Sequence, residues 1–450
     1  MGARIGPQRC WYSRLRVQPE GPGLVPTIPH FLVSPAACAG GICARARQRK
    51  WKAITRDPWV LKTISEGIRV NLRSKPQQPR EPSELSWDDP SAEALEWLEQ
   101  AISWESIEKV PSERIGESGE LIHNLVSEQK KGRLCSNTKD LNAMASKLSV
   151  KMPSLKDVCQ VIPKNYWLAK IDLSKFYWAM LIHPSHHQYF RFQIHGEMFQ
   201  WRALPFGYIN SMQIMARIMD PVLTRIRSFA IEVTSWVDDI VLILDPHPEV
   251  AQVKLEKTIV LLEELGFIIN KEKSLIVPSQ QVMFRGFLWR ASDLTIHIPQ
   301  DKVMEWKTFA ASILKHDTVN ARMLSSLIGK VRYSAQLNPF LISWLVEMHL
   351  HTSDLVQRVG WEVEAPIPPR VMEELRHWQL RSETLPWPMR WSLEDALITK
   401  GDAGPAGFGI EGPWEIAGLW TPSQATQSTN WRELATWRRQ IIEFTDYLAN

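Results

Sequence analysis

The sequence is short of cysteine, of long apolar runs and of net charge, and each shortage excludes something. Its five cysteines, Cys10, Cys38, Cys43, Cys135 and Cys159, are an odd number without C-x-x-C spacing. That argues against a zinc site or a disulfide framework and implies a reducing interior compartment. No apolar run approaches the roughly 18–20 residues that span a bilayer, and the stretch from Ile240 to Leu244 is only strand-length. The expectation is a soluble intracellular protein, cytoplasmic or nuclear, with no membrane partner. The net charge of +4 neither requires nor excludes a polyanionic partner, because a basic groove can be balanced elsewhere on the surface. No internal repeat is visible, which argues against solenoids and propellers.

What is present fits several domains. A chain of 450 residues corresponds to about three domains at ~150 residues each. Hydrophobic residues at 44% and charged residues at 23% sit at globular averages, so composition selects no special class. Tryptophan, at 21 residues, is the outlier, and several lie beside charges, as in Ser86-Trp87-Asp88, Trp104-Glu105 and Trp431-Arg432. Such positions suit half-exposed packing, either on a ligand groove or as amphipathic anchors.

Residues 1–50 hold eight Lys or Arg against the single acid Glu20, which leaves a balance of −3 for the other 400. This Pro-, Gly-, Ala- and Arg-rich segment reads as a disordered basic arm, with a transit peptide or fortuitous upstream coding sequence as alternatives. Order is expected to begin near Trp51. Residues 51–115 read as an extension containing a Pro-rich linker, Pro76 to Pro90, and an amphipathic helix from Ser91 to Ile107 capped by Ser91. Between 116 and 290 β-rich runs (NYWLAKIDLS, QYFRFQIHG, SWVDDIVLIL) alternate with helical ones (NSMQIMARIMDPVLTRI, EVAQVKLEKTIVLLEEL), an α+β pattern. Residues 291–390 are mostly helical, and strands return in 391–450.

The strongest chemical signal is acidic. SWVDDIVLIL sets Asp238 and Asp239 among apolar strand residues, and Asp172 interrupts a second strand-like run 66 positions earlier. Buried carboxylates repel one another, and a hard divalent cation offsets that cost. Three carboxylates holding two cations about 4 Å apart suit in-line nucleotidyl transfer. The plainer reading of the adjacent pair is a β-turn.

The pieces around these acids occur in the order of the reverse transcriptase motifs. KKGRLCSNTKDLN resembles the fingers segment, IDLSKFYWAMLIHPSHHQYFRF the first-aspartate motif, and FQWRALPFGYINSMQIMARIM the LPFG motif. WVDD resembles the aromatic-x-Asp-Asp box, and LGFIINKEKSLIVPSQQVMFRGF the segments that close the palm and form the primer grip. DPWVLKTISEGIRV, IHPSHHQYFRF and the Trp-Arg-Glu-Leu segment further resemble the polymerases of tyrosine-recombinase retrotransposons of the DIRS and Ngaro group.

The resemblance implies an α+β right-hand polymerase: fingers and palm over 116–290, a helical thumb and connection over 291–390, and a truncated ribonuclease H-like α/β domain over 391–450. It implies RNA-directed DNA polymerisation with two Mg²⁺ ions, Mn²⁺ being possible, on an RNA or DNA template with primer, from deoxynucleoside triphosphates. Asp172, Asp238 and Asp239 would be the catalytic metal ligands, with the Leu173 carbonyl as an extra one. Lys130, Lys131 and Arg133 would clasp the triphosphate, as bidentate guanidinium contacts suit phosphate; without the motif they read as a solvated turn. Tyr177 would select against a 2′-hydroxyl, its alternative being a core aromatic. Phe206 would flank the nucleotide, with Gly207 allowing close backbone approach. Lys273 would be a proton donor to pyrophosphate, Phe284 and Gly286 would belong to the primer grip, and Asp402 and Glu433 to the partial ribonuclease H site. With Asn450 ending the sequence before further acidic ligands, and Asp446 too near Glu433 to replace them, nuclease activity is not expected.

Departures from the pattern are Trp236 where Tyr usually stands, the lack of the usual Pro and Asp after Arg133, and Met212-Gln213 in place of a small residue or Pro. A catalytically degenerate remnant that only binds nucleic acid is the main rival reading. A two-metal nuclease or another nucleotidyl transferase is a third, and it leaves the LPFG and fingers segments unexplained.

Overall fold

The computed structural model describes residues 40–73, 86–87, 90–111, 125–129, 133–336, 339–380, 387–389 and 399–444. Most of the expected basic arm, Lys130, Lys131 and Asp446 lie outside them. The mixed α+β expectation holds, with helices and sheets interleaved along the chain.

The strand Trp167–Ser174 is the centre of a five-stranded sheet. It pairs antiparallel with Asp239–Asp245, which in turn pairs with Glu232–Trp236. On its other side it meets Ile268–Ile269 and Leu275–Ser279. Its alternation is strict where the chemistry lies: Ile171 and Leu173 are buried, while Lys170, Asp172 and Ser174 line the opposite, partly open face. The helices Ser211–Arg227 and Pro248–Leu265 cover the sheet, burying Ile214, Met215, Ile218, Met219, Leu255 and Leu262. Gly266, at φ +100°, ends the second of them in the left-handed conformation typical of a helix stop.

SWVDDIVLIL is not one strand, as its apolar pattern suggested. Two strands, Glu232–Trp236 and Asp239–Asp245, meet at a two-residue turn of Val237 and Asp238. The β-turn reading and the strand reading of the acidic pair are therefore both partly right.

Downstream, Gln281–Phe284, Phe287–Arg290 and Thr295–His297 form a meander that Trp387–Pro388 joins. The sheet thus runs across the joint expected at 290. Four helices follow, Gln300–Ile313, Ala321–Ser334, Val346–Arg358 and Pro369–Leu380, packed around Trp306, Leu324, Met348, Leu375 and Trp378. Glu374 is buried at 5% exposure, yet it is satisfied. Its two oxygens accept from the backbone N–H groups of Glu347 and Met348 at the start of the third helix, where the helix dipole favours negative charge. Residues 399–444 carry a small antiparallel sheet, Lys400–Ala403, Gly407–Glu411 and Ile416–Leu419, with the helix Thr429–Glu443 on one face.

Two sequence expectations need correction. Residues 40–50 are part of the fold: Ile42 is fully buried, and the Arg47 guanidinium donates to the Gly41 carbonyl. The apolar Ile42 and the close packing of Gly41 on the Gly266 carbonyl, where a Cβ would come within 2.6 Å, outweigh the basic composition. Ser86–Trp87, assigned to a linker, pairs in parallel with Gln193–Ile194. The helix expected from Ser91 is present as Ala92–Ser103, with the Ser91 hydroxyl accepting from the Ala94 N–H at 3.1 Å. Among the described residues no helix is long and apolar enough to cross a membrane.

Candidate active site

The three acids occupy neighbouring backbone positions at one end of the palm sheet. Asp172 stands opposite Asp239 in the ladder, and Asp238 occupies the adjoining turn. The Leu173 N–H donates to the Asp238 carbonyl at 3.0 Å, which makes Leu173 and Asp238 a hydrogen-bonded pair. Asp172 and Asp239 are then the neighbouring non-hydrogen-bonded pair, in which side chains on one face lie closest, Cβ atoms being about 4.5–5.5 Å apart.

The backbone of Asp172 is fixed from both directions. Its N–H donates to the Ser274 hydroxyl at 2.9 Å, and its carbonyl accepts from the Asn270 N–H at 2.9 Å. Both partners belong to the turn 270–274, which also carries the exposed Lys273. That cation consequently sits on the loop abutting the first aspartate.

Burial pushes the Asp238 carboxyl above its ordinary range; the charges of Asp239 and Asp172 add to the rise, while its own backbone N–H and Lys170 pull the other way. Asp239 has a cationic partner, Lys170, whose Nζ lies 2.9 Å from its Oδ1. Lys170 was missed in the sequence reading, although period-2 alternation puts it on the face of Asp172. Among the described residues no three His, Cys, Asp or Glu side chains converge closely enough to hold an ion. The donors nevertheless fit a hard divalent cation: they are carboxylate oxygens, partly desolvated, and held on adjacent backbone positions.

Tyr177 and Phe206 form one wall. Their rings meet edge to face at 5.1 Å, and burial, followed by the Asp238 charge, raises the Tyr177 phenol above its ordinary range. Tyr177 is half-buried and packs against the core, so its ring is neither fully enclosed nor fully open. Gly207, next along, has φ +99°, and an added Cβ would lie 2.1 Å from the Ser136 carbonyl. The Gly207 carbonyl accepts from Thr138 Oγ1 at 2.8 Å and from Asn142 Nδ2 at 2.9 Å. The close approach expected at this glycine is therefore to the strand Arg133–Asn137 and the segment after it, which it latches to the palm. Arg133 opens that strand.

Arg285 and Gly286 form the two-residue turn between Gln281–Phe284 and Phe287–Arg290, with φ of +48° and +71°, as a hairpin turn of this hand requires. Phe284, expected in the primer grip, is only 2% exposed, with its ring in the core. Strand alternation turns Met283, 46% exposed, to the outside instead. Sequence reasoning also missed Arg285, whose guanidinium lies 3.8 Å from the Trp236 ring centroid.

Asp402 and Glu433 are both exposed. Gly401 faces Thr436 and Gln440 of the covering helix, so alternation sets Asp402 on the other sheet face, where it lines a shallow recess with Gly409 and Ala417. Beside the Val237 turn runs a cleft of ≈ 620 Å³, lined by Lys151, Pro153, Met212, Gln213, Arg217 and Thr234 among others.

The three carboxylates lie in a segment that matches a known family. Residues 117–288 match the family described as reverse transcriptase (RNA-dependent DNA polymerase). The enzymatic polyprotein of Cestrum yellow leaf curling virus is 28% identical over 168 residues, covering 36% of this chain and 25% of that protein. The Pro-Pol polyprotein of simian foamy virus type 1 is 25% identical over 157 residues, covering 35% of this chain and 13% of that protein. The chain thus spans about a quarter or less of the curated relatives it matches. Among solved structures, the foamy viral protease-reverse transcriptase in complex with dsDNA aligns with a TM-score of 0.55 at 16% identity, covering 90% of this chain and 87% of that one. The same protein in complex with an RNA/DNA hybrid aligns at 0.52 and 15% identity, covering 90% and 56%. The fold is that of a right-hand polymerase. Within it lie residues 117–288, the segment that matches the reverse transcriptase family.

Proposed function

We propose that this chain is an RNA-directed DNA polymerase of a retroelement, extending a primer on an RNA or DNA template from deoxynucleoside triphosphates. The observation that carries the reading is the cross-strand Asp172–Asp239 pair with Asp238 in the adjoining turn, inside the reverse transcriptase domain. Three acids gathered on one sheet edge destabilise a fold unless positive charge joins them.

Asp172, Asp238 and the Leu173 carbonyl would hold two Mg²⁺ ions, or Mn²⁺, with Asp239 shared between metal and Lys170. Bound there, the ions would activate the attacking oxygen and stabilise the leaving one. The chain's own residues supply the rest. Tyr177 and Phe206 offer an aromatic corner beside Asp238 for the sugar and base of an incoming nucleotide, with Tyr177 excluding a 2′-hydroxyl. Arg133, Lys130 and Lys131 would bind the triphosphate, and Lys273, on the turn beside Asp172, would protonate the departing pyrophosphate. Gly286 would carry the primer-grip turn. The cleft along Met212, Gln213 and Val237 would receive the polynucleotide, and the foamy viral protein of the same fold is known bound to dsDNA and to an RNA/DNA hybrid. Template contacts are expected to be phosphate-borne and salt-sensitive.

The motif resemblance supports an element of the DIRS and Ngaro type. Residues 399–444 would then open a ribonuclease H-like domain, in which Asp402 and Glu433 do not form a shared pair, because Asp402 stands on the sheet face turned away from the helix that carries Glu433. Primer extension on RNA with Mg²⁺ tests the reading against a binding-only remnant: the wild-type chain extends and Asp238→Asn does not. Equal incorporation by the two proteins would reject it.

A further inference from the structure

The turn Arg285–Gly286 is held by three separate parts of the molecule. The Tyr333 hydroxyl, on the helix Ala321–Ser334, donates to the Arg285 carbonyl at 2.8 Å, and Lys302 Nζ, on the helix Gln300–Ile313, donates to the Gly286 carbonyl at 3.0 Å. The Phe287 and Tyr333 rings stack at 5.6 Å with planes 10° apart. An added Cβ on Gly286 would come within 2.4 Å of Lys302 Nζ, so the helices press directly on the turn. From the opposite side the Arg285 guanidinium lies over Trp236 at 3.8 Å, and its Nη1 reaches the Pro153 carbonyl at 3.4 Å. Trp236 pairs with Asp239 in the ladder, across the two-residue turn that carries Asp238.

We propose that Arg285 is a positioning residue: its guanidinium, stacked on Trp236 and anchored by Tyr333 and Lys302, fixes the hairpin that presents Asp238 and Asp239. A planar cation on an indole face is directional, so it holds the ring's tilt, and the ring holds the end of the Glu232–Trp236 strand. This links the helices downstream of the palm to the carboxylates through one side chain. The inference rests on the polymerase reading for its kinetic consequence and on the contact alone for its energetic one.

The test is a double-mutant cycle of Arg285→Met and Trp236→Leu, with Arg285→Lys as the conservative variant, in single-turnover incorporation on an RNA template. Arg285→Met is expected to slow incorporation about five- to thirty-fold, the range a desolvated cation–π contact spans, with nucleotide KM and primer-template affinity unchanged. Trp236→Leu gives a similar loss, the double variant adds little, and Arg285→Lys recovers most of the rate. An Arg285→Met protein that incorporates at the wild-type rate, one whose loss lies wholly in primer-template affinity, or additive losses would overturn the assignment. If the wild-type chain incorporates nothing, the polymerase reading fails instead. The cycle is then read in thermal unfolding, where non-additive changes in Tm uphold the contact and additive ones sink it.

Discussion

Replacing Lys170 by Met should expose the electrostatic design of the carboxylate site. Lys170 Nζ lies 2.9 Å from Asp239 Oδ1, and the two side chains are 18% and 25% exposed. Coulomb's law gives a gross attraction of about 6 kcal/mol at an effective dielectric of ~20. Desolvation of both ions consumes most of it, and partial exposure screens the rest. Removal of one partner leaves Asp239 uncompensated beside Asp172 and Asp238, so we expect a net destabilisation of about 1–2 kcal/mol. For a domain of this scale that lowers Tm by about 4 °C.

The measurement is thermal unfolding in EDTA and again in millimolar Mg²⁺. Lys170→Met should melt lower in EDTA, and Mg²⁺ should raise its Tm more than that of the wild type, because the divalent ion supplies the missing positive charge. The double variant Lys170→Met/Asp239→Asn should return close to wild-type stability, since both charged partners are then gone. An unchanged Tm in EDTA, or a loss that Mg²⁺ leaves as large as before, would refute the reasoning.

Asp238→Asn should raise stability at neutral pH. Its folded carboxyl sits above the usual 3.8, so the ionised form weakens the fold above that raised value, and the advantage of the variant should vanish as pH falls below 3.8; a melt series across pH checks this. The same variant should lose at least about a hundredfold in incorporation, as groups aimed at transition-state charge do. Gly207→Ala should cost about 1–3 kcal/mol, from positive φ and the clash with Ser136, readable as a lowered urea midpoint. Glu374→Ala should cost about 1–3 kcal/mol by stripping two backbone donors of their acceptor, with incorporation by the folded fraction unchanged.

Much of the site was legible because its chemistry is written in residue types that strands rarely tolerate. Asp172, Asp238 and Asp239 stand out against Ile171, Leu173, Ile240 and Val241. The helices Ser211–Arg227 and Pro248–Leu265 announce themselves through apolar spacing and, in the second, a terminal glycine. What escaped were relations between distant segments. Nothing local marks Arg285 as the partner of Trp236, or Ser274 as the acceptor for Asp172, because those contacts depend on how hairpins stack. The motif marks Phe284 as a grip residue, but only the pairing of its hairpin shows that Met283 takes the outer face. Residues 40–50 were misread because basic composition outweighed two small clues, Ile42 and the Gly40-Gly41 pair, that matter only once Gly266 lies alongside.

Val237 occupies the first central position of the carboxylate hairpin at φ +59°, a place where glycine is favoured and a β-branched side chain is strained. The chain thus keeps a stiff residue where a supple one would relax more readily, at a cost of order 1–3 kcal/mol. With the Asp172 backbone clamped from both sides by the 270–274 turn, little else at the sheet edge can yield. Any adjustment that a substrate demands of Asp238 must pass through this tense corner, which makes residue 237 a natural dial for trading accuracy of carboxylate placement against ease of movement.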